Sequence, residues 1–321
     1  RLIQEKIQNE TNQHLLRSAT HWHEQGERNN KYFYRVIKQR TTQQTILSLK
    51  SPDGTVVYSS SEILAEARRF YTDLCIPDAV DSTSVNTLLS AIPEDCHLDD
   101  AQRSLLVAPL SVNELLLMLK HSPIGKSPGL DGIPFEVYQY LCPRAPSFVQ
   151  LLLNVLHDAI DGNFPSSWTE TRMILLYKKG DPQLLQNWRP LSLINTDAKL
   201  FTKMLANRFN QSLPRLINPY QTGFMPDRLI SDNGWAFKAL MDNLKHADSE
   251  SPKSAVLLDQ EKAYDRVHPD YLRLVLLRFG YPPTLVHSLT SLFFGTRICI
   301  SINGFLGIPF QQLRGLRQGD P

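Results

Sequence analysis

The feature that most limits what this chain can become is the stretch Ser254-Ala-Val-Leu-Leu-Asp259-Gln-Glu-Lys-Ala-Tyr264-Asp265. Its apolar run, Ala255 to Leu258, reads as a buried strand that carries the carboxylate of Asp259 at its tip. Such a strand fixes a side chain while its tip opens into a cleft, which suits a metal ligand. Five residues on, Tyr264 offers a flat, stiff side chain to wall a small pocket beside the metal. The plainer alternative is a strand followed by an acidic helix cap. The segments that accompany this stretch decide between the two.

A chain of 321 residues exceeds one average domain and can bury a sizeable core. With 42% hydrophobic and 21% charged residues it reads as soluble and globular. The net charge of +2 conceals an uneven distribution. Residues 51–110 hold ten acidic and three basic side chains, whereas residues 171–238 hold ten basic and four acidic. The second region can present a basic face to phosphates or an ordinary solvated surface. Cys75, Cys96, Cys142 and Cys299 are too scattered for a zinc site or a disulfide framework and read as reduced and intracellular. No apolar run reaches the length of a membrane span, no signal peptide opens the chain, and no membrane partner is expected. A start at Arg1 and a stop within Gly319-Asp-Pro321 read as a piece of a longer polypeptide.

Residues 1–50 are basic, with Trp22, Tyr32, Phe33 and Tyr34 among Arg28, Lys31, Arg35, Lys38 and Arg40. Helical spacing runs from about Leu2 to Gln39. The aromatics can stack bases while the cations meet phosphates, or the two sets can be the packed and wet faces of one helix. Ser59-x-x-Glu62 and Ser111-x-x-Glu114 predict capping boxes for helices through Leu74 and over Val112–Lys120, with Leu110 and Leu115 as the staple of the second. Residues 76–108, rich in acids, Ser and Pro, read as a connecting segment with little regular structure. Gly125-Lys-Ser-Pro-Gly-Leu-Asp-Gly132 lacks the spacing of a phosphate loop, which excludes nucleotide hydrolysis of that type.

An apolar helix follows over Ser147–Asp161, with Gly162 as its stop. Thr171–Tyr177 and Trp188–Ile194 read as a hairpin that aims Lys178, Lys179 and Arg189 at one place, a fair triphosphate clamp or simply a basic surface turn. The helix from Asp197 to Leu213 turns Leu200, Phe201, Met204, Leu205 and Phe209 inward and leaves Lys199, Lys203 and Arg208 largely outside. Residues 218–233 are irregular. Tyr271–Phe279 is helical and stopped by Gly280, and Ile298, Ile300 and Ile302 alternate into the hairpin signal Asn303-Gly304.

The ordered segments resemble the reverse transcriptases of non-LTR, LINE-type retrotransposons. The matching pieces are Lys126-Ser-Pro-Gly-Leu-Asp-Gly-Ile-Pro134, Tyr177-Lys-Lys-Gly-Asp181, and Trp188-Arg-Pro-Leu-Ser-Leu193 with Lys199, Lys203 and Ala206-Asn-Arg208. Gln221-Thr-Gly-Phe224 with Arg228, Asp259-x-x-Lys-Ala-Tyr-Asp265 and Arg317-Gln-Gly-Asp-Pro321 complete the set. Gly26-Glu27, Lys31-Tyr-Phe33 and Phe70-Tyr71 resemble the region that precedes the polymerase in these elements, so the resemblance spans residues 20–321.

The resemblance implies an α/β right-hand polymerase fragment. Residues 1–110 would be a helical leader and linker, and residues 111–321 the fingers and first part of the palm. It implies RNA-templated DNA synthesis from dNTPs onto a nicked genomic DNA primer, two Mg²⁺ ions, and a location in nucleus and cytoplasm. Asp259 becomes the catalytic carboxylate and metal ligand, with the carbonyl after it helping the second ion. Tyr264 becomes the residue beneath the incoming sugar that excludes a 2′-hydroxyl, and Lys178 or Lys179 with Arg189 grip the triphosphate. Gln318 contacts the nucleotide, and Gly319 permits close backbone approach. Arg28, Lys31, Lys199, Lys203, Arg208 and Arg228 become nucleic-acid contacts. Asp265 and Lys262 are expected to cap or brace the following helix.

Two rivals remain: a non-catalytic relic that binds nucleic acid, and a polymerase that copies RNA into RNA, against which Tyr264 argues. Template, target, host and oligomeric state are not encoded legibly. The family's second carboxylate pair belongs downstream of the Gln-Gly-x-Pro motif, and one carboxylate cannot hold two Mg²⁺ ions productively. The purified 321-residue chain is therefore expected to show no template-directed primer extension. Extension that disappears in Asp259→Ala would overturn this expectation.

Overall fold

The computed structural model describes residues 45–246, 254 and 256–321. The expected helix over Leu2–Gln39, with Arg28 and Lys31, lies outside the described residues. The chain divides into two compact units. Among the described residues, the smaller takes 45–63, 175–189 and 302–305, and the larger takes 64–174, 190–246, 254, 256–301 and 306–321. Both helices and strands contribute, and the sheet is mixed, so the class is α/β as expected.

In the smaller unit, β1 (Leu49–Lys50) pairs antiparallel with β2 (Val56–Val57). The Asn303 side chain binds both backbone groups of Ile46, accepting from its N–H at 3.0 Å and donating to its C=O at 2.7 Å. Ile46, Leu49, Leu175, Leu185 and Trp188 are buried. Asn303 and Gly304 both take positive φ, 51° and 88°, which a two-residue hairpin turn demands and which explains this dipeptide. The Ser59 capping box forms: Ser59 Oγ accepts the Glu62 N–H, and a Glu62 carboxylate oxygen accepts the Ser59 N–H, both at 3.3 Å. It opens α1, Ser60–Leu74.

The larger unit is mainly helical. Residues 76–108 are not the irregular connection expected; they contain α2 (Ser82–Ser90) and α3 (Asp100–Val107). Two of the acids that made the segment look like a linker, Asp81 and Asp99, are the N-caps of these helices. α4 (Val112–Lys120) starts at Ser111 with the expected capping box. α5 (Phe135–Leu141), α6 (Pro146–Ile160) and α7 (Thr196–Asn210) follow, then a short α8 (Leu213–Leu216), α9 (Ile230–His246), α10 (Pro269–Arg278) and α11 (Pro283–Phe293). Gly162 and Gly280 end α6 and α10 with φ of 90° and 83°.

One core joins these helices. Leu98, Leu106, Leu110, Leu115, Leu156, Leu200, Leu205, Leu285 and Leu292 are all at most 2% exposed, each contributing about 1.5–3 kcal/mol by burial. Trp168, fully buried in it, lies 5.5 Å from Phe201 between ring centroids. The sheet has the order β4-β3-β5-β6, with β7 also on β5. Its strands are β3 (Glu170–Tyr177), β4 (Trp188–Leu193), β5 (Thr296–Ile302), β6 (Phe305–Leu306) and β7 (Phe310–Gln312). β3 runs parallel to β5 from Glu170 opposite Arg297 to Ile174 opposite Ser301, and β7 is antiparallel to β5.

Arg208 on α7 is not outside as its helical position predicts; it is 4% exposed. Its five N–H donors reach Glu114, twice, and the carbonyls of Leu106, Ala108 and Pro109 at 2.6–3.4 Å. It therefore ties α3, α4 and α7 together and has no donor left for a phosphate. Lys199, also expected outside, is 9% exposed. Arg208→Ala is expected to destabilise the chain by about 3 kcal/mol, since it strands buried acceptors. A shift of the urea midpoint below 0.5 kcal/mol equivalent would contradict this.

Candidate functional site

In the larger unit, three segments far apart in sequence meet: the end of β4, the turn Tyr264–Arg266, and the run Arg314–Pro321. Asp265 Oδ1 accepts from the side-chain amide of Gln318 at 3.1 Å. The Gln318 C=O accepts the Ser192 N–H at 2.7 Å. The Tyr264 C=O accepts the Leu316 N–H at 2.8 Å, and Val267 C=O accepts Gly315 N–H at 2.9 Å. Gly315 (φ 82°) lies against the Asp265 backbone, where an added Cβ would stand 2.7 Å from the carbonyl oxygen. At Gly319 (φ 112°) an added Cβ would meet the Ser192 carbonyl at 2.8 Å. Both positions therefore require glycine.

A buried ion pair closes this clasp. Arg317 Nη2 meets Asp320 at 2.7 Å, Arg317 Nη1 donates to the Trp168 C=O at 3.0 Å, and Thr202 Oγ1 donates to Asp320 at 2.6 Å. The two residues that flank Gln318-Gly319 are thus fixed to the core and to α7. Asp265 and Lys262 do not cap α10, as expected from the sequence; His268 does, accepting the Asp270 N–H at 3.2 Å. Burial pushes the Asp265 carboxyl above the usual range, against the pull of Gln318 and Lys262. Lys262 takes φ 52° and sets its ammonium 4.6 Å from the Phe70 ring centroid. Burial lowers the Lys262 pKa.

Tyr264 is 45% exposed and meets the Phe224 ring edge-on at 6.4 Å. It walls a cavity of about 590 Å³ with Gln260, Leu88, Tyr271, Leu272 and Leu316. Asp259 is exposed, and the strand expected to deliver it is not formed. Val256, Leu257 and Leu258 are 78%, 93% and 91% exposed and belong to no strand. An apolar run becomes a strand only where its N–H and C=O groups find a ladder partner, and none of the described strands pairs with it. Among the described residues no three His, Cys, Asp or Glu side chains converge as a metal site.

Lys126, Lys199 and Lys203 line a groove of about 400 Å³ with Phe135, Leu191 and Gly319. Lys199 Nζ donates to the Ser127 C=O at 3.4 Å, and Lys203 Nζ to Ser122 Oγ at 3.3 Å. Burial lowers the pKa of both amines, opposed at Lys199 by Asp320 and Asp131. Partly desolvated ammonium groups with few acceptors are suited to an anion. Lys126 was not singled out as a contact from sequence, although it opens the first matching segment. That segment's Gly129 packs on Asn195, where a Cβ would lie 2.4 Å from the backbone nitrogen. Arg228 spends its terminal N–H groups on the carbonyls of Asn218, Gln221, Pro214 and Ile217. It therefore shapes the 218–228 loop, a role that the nucleic-acid assignment did not anticipate.

In the smaller unit, Lys178, Lys179 and Arg189 are all exposed around the β3–β4 turn. The turn is braced by side-chain hydrogen bonds: Tyr177 Oη donates to the Gly180 C=O at 2.5 Å, Asn187 Nδ2 to the Asp181 C=O at 2.9 Å, and Trp188 Nε1 to the Pro182 C=O at 2.8 Å.

Comparison with known proteins adds a relationship. Residues 176–321 match the family described as reverse transcriptase (RNA-dependent DNA polymerase). Over 297 residues, 92% of this chain and 22% of the relative, the chain is 33% identical to the transposon TX1 uncharacterized 149 kDa protein of Xenopus laevis. It is 26% identical over 221 residues to the probable RNA-directed DNA polymerase from transposon BS of Drosophila melanogaster, covering 68% of this chain and 24% of that protein. It is 27% identical over 213 residues to the RNA-directed DNA polymerase from mobile element jockey of the same organism, covering 64% and 22%. The chain thus spans about a quarter or less of the length of these relatives.

The clasp yields a measurable expectation. Gly319→Ala forces a side chain into positive φ against a carbonyl and should cost about 1–3 kcal/mol. Asp320→Ala leaves Arg317 buried and unpaired and should cost about 3–5 kcal/mol. Unfolding midpoints within error of the parent chain for both variants would show that the clasp is not built this way.

Proposed function

Because residues 176–321 are a reverse transcriptase domain and the chain is a partial homologue of non-LTR retrotransposon polymerases, we propose that it supplies the fingers and first part of the palm of an RNA-directed DNA polymerase. The observation that carries this reading is the clasp: Ser192, Asp265 and Gln318, from three separate motif segments, are hydrogen-bonded together. Gln318 is then held by both its amide and its carbonyl, with Gly319 beside it leaving the backbone open to a close ligand. We assign Gln318 and Gly319 to the incoming nucleotide, and Tyr264 to the face of its sugar, where a 2′-hydroxyl would clash.

Lys178, Lys179 and Arg189 are exposed cations on the β3–β4 turn of the smaller unit, and from the family resemblance we assign them to phosphoryl oxygens. The groove of Lys126, Lys199 and Lys203 takes the sugar-phosphate backbone of template RNA or primer DNA. Asp259 is assigned to Mg²⁺, which when bound neutralises charge on the transferring phosphoryl group. The described residues do not compose a two-ion site on their own, so the nucleotide and backbone assignments are made without the ions. We keep residues 1–110 as the leader and 111–321 as the polymerase portion. No helix among the described residues is long and apolar enough to cross a membrane.

Equilibrium titration of the purified chain with a fluorescent dNTP tests the reading. Gln318→Ala should weaken binding about tenfold, the loss of roughly one good hydrogen bond. Tyr264→Val should narrow the preference for dNTP over NTP. Binding of single-stranded RNA should weaken with salt, and Lys203→Ala should reduce the log–log slope by roughly 0.7, one phosphate contact. Nucleotide affinity unchanged by Gln318→Ala, with no sugar preference to lose, would leave only the nucleic-acid-binding alternative.

A further inference from the structure

Helix α1 places a tyrosine behind the clasp, outside the stretch that matches the polymerase family. Tyr71 is 2% exposed, and its hydroxyl has no hydrogen-bond partner among the described residues. It lines a cavity of about 20 Å³ together with Cys75, Ser192, Asp265, Arg314 and Gln318. That space is enough for one water, and its walls are polar enough to hold one. Asp265 gives one carboxylate oxygen to Gln318, and among the described residues no protein donor takes the other. A buried hydroxyl without an acceptor is costly, and it shares this cavity with the half-buried Asp265.

We propose that Tyr71 is a positioning residue for the nucleotide site: its hydroxyl donates to one water in this cavity, the water donates to Asp265, and the carboxylate so held orients the Gln318 amide. The consequence for nucleotides rests on the polymerase reading; the chain Tyr71–water–Asp265–Gln318 does not.

The surrounding charges support the direction of donation. Burial first, then the Asp265 charge, raises the pKa of Tyr71, so the phenol stays protonated and can donate. The same two causes push Cys75 up to about 12, with Arg314 opposing. Arg314 is itself engaged by Asp78 and the Leu74 C=O. Lys262 is the cation that acts on Asp265 from its own segment, and Glu261 and Arg266 act on Lys262 in turn. Because burial raises the folded pKa of Asp265 above its unfolded value, this carboxylate withdraws stability as pH rises from the unfolded pKa through the folded one. A donor to the charged form counters burial, and loss of the donor raises the folded pKa further.

The test uses the 321-residue chain labelled with ¹³C at aspartate carboxyls, with the Asp265 signal assigned by its loss in Asp265→Asn. Tyr71→Phe should raise the Asp265 titration midpoint by about one unit, a tenfold gain in proton affinity. In the parent chain, cross-relaxation should connect the Tyr71 ring protons to a long-lived bound water, a result that needs no variant to fold. An unchanged midpoint in folded Tyr71→Phe, or no bound water at the Tyr71 ring, overturns the proposal. Neither measurement involves a nucleotide. A chain that passes both and binds no dNTP would sink the polymerase assignment alone, and one that binds dNTP but fails here would sink only the role of Tyr71.

Discussion

The larger unit depends on a buried ion pair. Arg317 and Asp320 are three residues apart, and both side chains are at most 7% exposed. In so little water their attraction is not screened, but neither is the cost of losing one partner. Each end is therefore bound again, Arg317 by the Trp168 carbonyl and Asp320 by Thr202. Trp168 belongs to the core and Thr202 to α7, so the pair fastens the segment of residues 314–321 to both. Gln318 and Gly319 lie between the paired residues, which leaves their positions no freedom that the pair does not grant.

Local chemistry was legible in the sequence wherever the partner lay within a few residues. Ser111 and Glu114 cap α4 because an oxygen three residues from the partner's N–H needs nothing else. Asn303-Gly304 turns the chain because its two residues tolerate positive φ. Gly162 and Gly280 stop helices for the same reason. The hydrophobic face of α7 was read correctly at Leu200, Phe201, Met204 and Leu205, since a period of 3.6 residues identifies the packed side.

What could not be read was any role set by a distant partner. Arg208 looks like a solvated cation until Glu114, 94 residues earlier, is placed beside it. Asp265 looks like a helix brace until Gln318, 53 residues later, is found on its carboxylate. Asp81 and Asp99 made an acidic linker of what is in fact two capped helices, because composition averages over residues whose individual positions decide the structure. Val256, Leu257 and Leu258 err in the opposite direction. Their apolar character is sufficient for a strand only when another strand is present to complete the ladder, and hydrophobicity alone does not supply one.

The clasp also joins two parts of the proposed site that sequence treats as separate. Asp320 acts electrostatically on Lys199, raising an amine that burial lowers. Gly319 lines the same groove as Lys199 and Lys203. One short run therefore orders Gln318, which we assign to a nucleotide, and tunes a cation that we assign to a nucleic-acid backbone.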